Sequence, residues 1–192
     1  PSANNCDGTP ITFTITVNPT PSIASKTDAI CSAGSFTVAP TNGSGDIVPT
    51  GTTYSWSAPS VAGITGTASG TNAASISGTL INTTNSPIIV NYSVTPSATN
   101  STSTCTGAPF TVAVTVNPSP IANAGADQTV CVGASVTLAG TGVDTYTWDN
   151  SVVDNIAFTA VNATNASITT TYTMTATDGN GCTSSDQVAV TV

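Results

Sequence analysis

A sixteen-residue cassette occurs twice, as Cys6-Asp-Gly-Thr-Pro-Ile-Thr-Phe-Thr-Ile-Thr-Val-Asn-Pro-Thr-Pro21 and as Cys105-Thr-Gly-Ala-Pro-Phe-Thr-Val-Ala-Val-Thr-Val-Asn-Pro-Ser-Pro120, identical at nine positions with an offset of 99. A looser third copy begins at Cys182. Recurrence at a fixed period is the signature of an array, in which each unit repeats one fold. The spacing predicts three pieces in these 192 residues: the closing strand of a preceding module at 1–17, a first module at 18–117, and a compact second module at 118–192.

Inside each cassette apolar residues alternate with Thr or Ala: Ile11, Phe13, Ile15 and Val17, then Phe110, Val112, Val114 and Val116, and at the end Val188, Val190 and Val192. Period two describes strands with one face buried. Between cassettes the first module offers strands around Thr53–Ser57, Ala74–Gly78 and Pro87–Thr95, and the second around Thr145–Asp149, Asn155–Thr159 and Thr170–Ala176. Short strands punctuated by Gly, Pro, Asn and Asp, with no helical periodicity, predict an all-β chain of tandem β-sandwiches. The joints Asn18-Pro-Thr-Pro21 and Asn117-Pro-Ser-Pro120 read as stiff spacers, because proline fixes its own φ and pushes the preceding residue toward extended conformations.

Thr occurs 39 times, and charged residues make up only 5% of the chain. Hydroxyl side chains on alternating positions suit half-buried strands, whereas a disordered chain needs more charge and fewer β-branched residues. The charge is one-sided, with nine Asp, no Glu, no Arg, no His and Lys26 alone on the basic side, for a net charge of −8. Nucleic acid as a partner is disfavoured, since neutralising phosphates takes several Lys or Arg, and an anionic membrane surface repels such a chain. No stretch has the apolar length of a membrane span, and residues 1–17 lack the basic start and apolar run of a signal peptide, so any secretion signal is expected outside these residues.

The five cysteines follow the repeat. Cys31 and Cys131 lie in opening strands, and Cys105 and Cys182 precede closing strands. The expected bridges are Cys31 with Cys105 and Cys131 with Cys182, with the partner of Cys6 upstream. Bridges imply an oxidising compartment. The first module spans 74 positions between its cysteines and the second 51, the excess falling in Pro40–Thr52 and Pro59–Thr84 on either side of Trp56. Enlarged loops of this kind are where a binding surface is sought.

The run Asn123–Leu138, then Tyr146-Thr-Trp-Asp149, then Thr171–Cys182 and a closing Val-Ala-Val-Thr-Val resembles the PKD and PKD-like immunoglobulin-type repeats. These repeats occur in very large surface proteins of Bacteroidetes, including gliding-motility adhesins exported by the type 9 secretion system. Asn150 and Ser151 stand where the family's Tyr-x-Trp-Asp-Phe-Gly-Asp-Gly element has Phe-Gly, and Ser57 replaces its Asp in the first module. The resemblance implies immunoglobulin-like sandwiches on a bacterial cell surface. It also implies that Trp56 and Trp148 fill the cores against the disulfides, and that Tyr92 and Tyr172 make the corner hydrogen bond of such sandwiches.

Catalysis has little to stand on: without His or Glu, neither a nucleophile–base pair nor a tuned carboxylic acid has an obvious partner. No cofactor is expected. The residues best placed to offer oxygen ligands to a structural calcium are Asp127, after the second joint, and Asp178 in the Asp-Gly-Asn-Gly turn, although nothing resembles a dense Asp loop. Lys26 lacks the Glu and the clear Asn partner that an isopeptide cross-link requires. Asn-x-Ser/Thr matches, such as at Asn82, are expected by chance in this composition.

Taken with the array of sandwiches, the resemblance implies a non-enzymatic stalk or filament spacer of a large secreted adhesin, in adhesion or gliding motility, whose partners are neighbouring repeats of the same chain. The alternatives are a module that binds surface glycans, a protein or other adhesin chains through the enlarged loops, and an accessory domain of a secreted hydrolase.

Overall fold

The structure is a computed structural model and describes residues 10–100, 103–142, 145–161 and 167–192. Every regular element among the described residues is a strand. Ten precede the second proline joint: β1 (Lys26–Cys31), β2 (Ser35–Val38), β3 (Thr52–Trp56), β4 (Ile64–Thr65), β5 (Gly70–Ala73), β6 (Ile76–Thr79), β7 (Ile81–Asn82), β8 (Ile88–Thr99), β9 (Thr104–Thr106) and β10 (Phe110–Asn117). Six follow it: β11 (Gln128–Thr129), β12 (Ser135–Val136), β13 (Thr145–Trp148), β14 (Phe158–Thr159), β15 (Thr169–Thr177) and β16 (Thr183–Thr191).

The main sheet before the joint runs β1-β10-β8-β3-β5, with β9 also on β8, and the short pairs β2-β6 and β4-β7 complete the fold. Alternation decides which faces are buried. In β10, Phe110, Val112, Val114 and Val116 are buried, and β8 opposes them with Val90, Tyr92 and Val94 in antiparallel register. Phe36, Ile76 and Leu80 belong to the same core as these residues, with Tyr54 and Trp56. Each such side chain contributes about 1.5–3 kcal/mol on full burial. After the joint the plan recurs in smaller form, with the sheet β11-β16-β15-β13 and the pair β12-β14. Its core comprises Val136, Leu138, Met174, Ala176, Val188 and Val190 with two alanines.

The opening strand lies parallel to the closing strand in both halves. Asp28 is paired with Val114, and Gln128 with Val190. This common register makes Val188 the counterpart of Val112, and Tyr172 that of Tyr92, since Tyr92 faces Val112 and Tyr172 faces Val188.

Residues 10–20 form no strand. Ile11, Phe13, Ile15 and Val17 are 89%, 81%, 75% and 86% exposed, while their cassette counterparts Phe110, Val112, Val114 and Val116 are 5% or less. The same stripe is thus a core wall in one copy and bare in the other. These residues do not complete the sandwich that follows them.

The cysteine pairing expected from the sequence is corrected. Cys31 is bonded to Cys182, with a Cα–Cα distance of 5.5 Å and a sequence separation of 151, while Cys105 and Cys131 carry free thiols. Cys6 lies outside the described residues. The reason is topological. β1 lies at the sheet edge alongside β10, and Cys31 ends β1 opposite Asn117, where the chain leaves for the second half. Cys105, in β9, pairs instead with the far stretch of β8, opposite Ala98.

Candidate functional site

Among the described residues no acid–base cluster stands out, and an elaborate polar network surrounds the joint at Asn117–Pro120. From the first half, Cys31 is delivered by β1, and the chain then turns. The Ser32 amide donates to the Asn117 carbonyl at 2.7 Å, and the Gly34 amide to the Cys31 carbonyl at 2.8 Å. From the second half, Cys182 is presented by the Asp178-Gly-Asn-Gly turn. Asp178 Oδ1 accepts from the amides of Asn180 and Cys182, both at 2.9 Å, and the Asp178 amide donates to the Cys182 carbonyl at 3.0 Å. The Ser184 hydroxyl donates to the Pro120 carbonyl at 2.6 Å, holding the start of β16 against the joint.

Asn82 secures the same region and was missed from the sequence, where it reads only as a chance glycosylation match. Its buried side chain donates to the carbonyls of Ser86 (2.8 Å) and Val116 (2.9 Å) and accepts from the amide and hydroxyl of Thr84. Both donors and the acceptor are used, and the end of β10 is pinned just ahead of the joint. Ser32 Oγ donates to the Asn82 carbonyl and accepts from its amide, tying this network to the residue after Cys31. A small cavity of about 250 Å³ lies over the joint, lined by Asn85, Pro118, Ser119, Pro120, Ile121, Gly142 and Asp178.

The other residues singled out from the sequence are dispersed. Trp56 is buried, its indole N–H donating to the Ala68 carbonyl at 2.9 Å, and Trp148 is half-buried, donating to Asp154 Oδ1 at 2.9 Å. Neither packs on the bridge as expected. β3 is separated from β1 by two strands, and β13 is at the opposite edge of its sheet from β11. Trp56 instead covers Gly70, where any side chain would collide with its ring.

Tyr92 and Tyr172 pack against phenylalanines in tilted pairs, with centroids 5.4 Å apart in both Phe36–Tyr92 and Phe158–Tyr172. Burial pushes the Tyr92 hydroxyl above its ordinary pKa. Asp127 and Asp178 are not brought together: Asp127 Oδ1 accepts from the Ala189 amide near the end of β16, and Asp178 precedes the start of that strand. Among the described residues no group of three His, Cys, Asp or Glu side chains could hold a metal ion.

Lys26 and Asp46 form an ion pair in the first half, and Asp46 Oδ1 also accepts from the Ala24 amide at 2.9 Å. The Lys26 hydrogen bond, followed by that amide, holds the largely buried Asp46 below the ordinary carboxylate range, against the opposing effect of burial. The second half reaches the same end differently. Asp186 accepts from the Ala124 amide at 2.8 Å, and backbone amides lower its pKa.

A broader, open groove of about 590 Å³ runs along Ser55, Ser57, Thr71, Asn91, Ser93 and Thr95 beside Trp56. Its polar lining is hydroxyl and amide, joined by Trp56, Ala58 and Pro59, and holds no charged group. Among the described residues no helix is long and apolar enough to cross a membrane.

Residues 28–120 match the PKD-like domain family. That span takes in most of β1, all of β2 to β10 and the joint. Among solved structures, the protocadherin PcdhgB3 EC1–4 is 13% identical, with 89% of this chain and 50% of that one covered and a TM-score of 0.27. Mouse cadherin-23 EC22–24 is also 13% identical, with 90% and 66% covered and a TM-score of 0.24. The four N-terminal immunoglobulin domains of Dscam1 isoform 1.9 are 13% identical, with 88% and 44% covered and a TM-score of 0.28. The chain therefore spans half to two thirds of the first two structures, and less than half of the third. No curated protein sequence matches it.

Proposed function

We propose that this chain is a load-bearing spacer: consecutive PKD-like sandwiches from the stalk or filament of a large, secreted bacterial surface adhesin of the gliding-motility type, carried out of the cell by type 9 secretion. The observation that carries this reading is the bond between Cys31 and Cys182 across a proline joint. A bridge inside a sandwich would stabilise that sandwich alone. A bridge between sandwiches fixes how one follows the next, which matters to a protein whose output is length and stiffness.

Two further features support the reading. The bare stripe of Ile11, Phe13, Ile15 and Val17 has the spacing of β10 and suits the closing strand of a preceding sandwich, between an opening strand and a counterpart of β8. The net charge of −8, with one Lys, keeps such a surface from adhering to nucleic acid or anionic lipid. The ligand of the adhesin then belongs to a tip outside these residues, and the modules contact chiefly each other.

The reading is tested with an antibody against this chain, applied to intact cells and to a denaturing gel. The expected result is surface labelling and a polypeptide many times the 18.8 kDa of these residues. A soluble species of modest size, with a catalytic domain adjoining, would overturn it in favour of an accessory domain.

A further inference from the structure

Among the four described cysteines one bridge leaves two thiols unpaired, and their positions follow a rule. An opening cysteine stands beside the end of its own module's closing strand. Cys31 faces Asn117, and Cys131 follows Val130, whose amide donates to the Thr191 carbonyl at 2.9 Å. A closing cysteine stands beside the joint that leads into its own module. Cys182 lies two residues before Ser184, which bonds Pro120, and Cys105 Sγ lies 4.0 Å from the carbonyl of Asn18. Asn18 holds in the first cassette the place that Asn117 holds in the second. The residue that faces Asn117 is the bridged Cys31. The residue that would face Asn18 is the opening cysteine of the module before, and Cys105 already waits there.

We propose that the bonds form an interleaved ladder, in which the opening cysteine of each module is bonded to the closing cysteine of the next. Cys31–Cys182 is one rung. Cys105 takes the opening cysteine of the preceding module, and Cys131 supplies the closing cysteine of the following one. This inference rests on the array reading above. Each rung forms when two thiols pass two protons and two electrons to the disulfide of a thiol–disulfide oxidoreductase. One thiolate attacks it to give a mixed disulfide, the second displaces the enzyme sulfur, and the oxidoreductase leaves as a dithiol.

The ladder has a mechanical consequence. Tension reaching Cys31 crosses to Cys182 through sulfur, bypassing residues 32–181. Tension arriving at Cys105 through its rung runs along residues 105–131 and leaves through Cys131. Two covalent paths thus run side by side, each made of rungs and of the segments joining a closing cysteine to the next opening one. Those segments contain the sequence cassettes. The sandwich interiors between Cys31 and Cys105, and between Cys131 and Cys182, lie off both paths.

The test uses the native full-length polypeptide, unfolded with a maleimide to cap free thiols and cleaved without reduction on the amino side of aspartate. That cleavage leaves Cys105 on residues 46–126 and Cys131 on residues 127–143. The ladder predicts both peptides disulfide-linked to neighbouring modules, the first upstream and the second downstream, with less than a tenth capped. The variant Cys105→Ser should expose one new maleimide-reactive thiol, in the module before, and leave the Cys31–Cys182 rung intact. Capped Cys105 and Cys131, or a bond between them, in a polypeptide with modules on both sides would overturn the ladder alone. A native polypeptide with no such flanking modules would overturn the ladder and the array reading together.

Discussion

Phe36 and Gly78 face each other across the β2–β6 pair, and a Cβ on Gly78 would come within 3.1 Å of the Phe36 ring. In the second half the equivalent pair is Val136 and Phe158. The ring has changed strands, yet in both halves it packs, tilted, against the equivalent tyrosine, Tyr92 or Tyr172.

This exchange predicts strong coupling. Phe36→Val should cost about 2 kcal/mol through a cavity, and Gly78→Phe about 1–3 kcal/mol through overpacking. The double variant, which copies the second half into the first, should recover at least about 1 kcal/mol of the summed loss in urea unfolding. Simple additivity would mean that the two positions do not share one space.

Asn82 is expected to matter more than its place in a two-residue strand suggests. Asn82→Ala leaves the Val116 and Ser86 carbonyls without their donor, and should destabilise the chain by about 2–3 kcal/mol. The unfolding midpoint in urea reports the loss. A change below about 0.5 kcal/mol would show that water replaces the amide at no cost.

Acid should act through Asp46. Its folded pKa lies below its unfolded value, so its contribution is complete above the ordinary carboxylate range and is lost as pH falls through the lowered folded value. Lys26→Met removes the main cause of the lowering and should flatten the stability profile below about pH 4. Stability measured against pH in both proteins checks this, and identical slopes would contradict it.

Pulling on residues 10 and 192 should separate the oxidised and reduced proteins. With Cys31–Cys182 closed, the 151 positions it spans stay out of the extended length; reduction should add about 500 Å of contour. Equal lengths in the two states would mean that the bridge is absent or spans far fewer residues.

Much of the fold was legible because period-two alternation and a repeated cassette are local signals. The strands around Trp56, Trp148, Tyr92 and Tyr172 lie where the alternation placed them. The cysteine partners were not legible. The cassette marks which cysteines open and close a module, but it is silent on whether a closing cysteine faces its own sandwich or the joint before it. That depends on β9 folding back on β8, a tertiary choice. Asn82 was hidden for the same reason: its partner at Val116 is 34 positions away, and no local pattern announces it. The exchange of Phe36 for Phe158 became visible only once strand register aligned the two halves.

The most direct measurement is a non-reducing peptide map of the two-sandwich chain itself, cleaved on the amino side of aspartate, which puts each cysteine on its own fragment. The account predicts residues 28–45, carrying Cys31, bonded to residues 178–185, carrying Cys182. Residues 28–45 bonded instead to 46–126, with 127–143 bonded to 178–185, would place each bridge inside one sandwich and contradict the account.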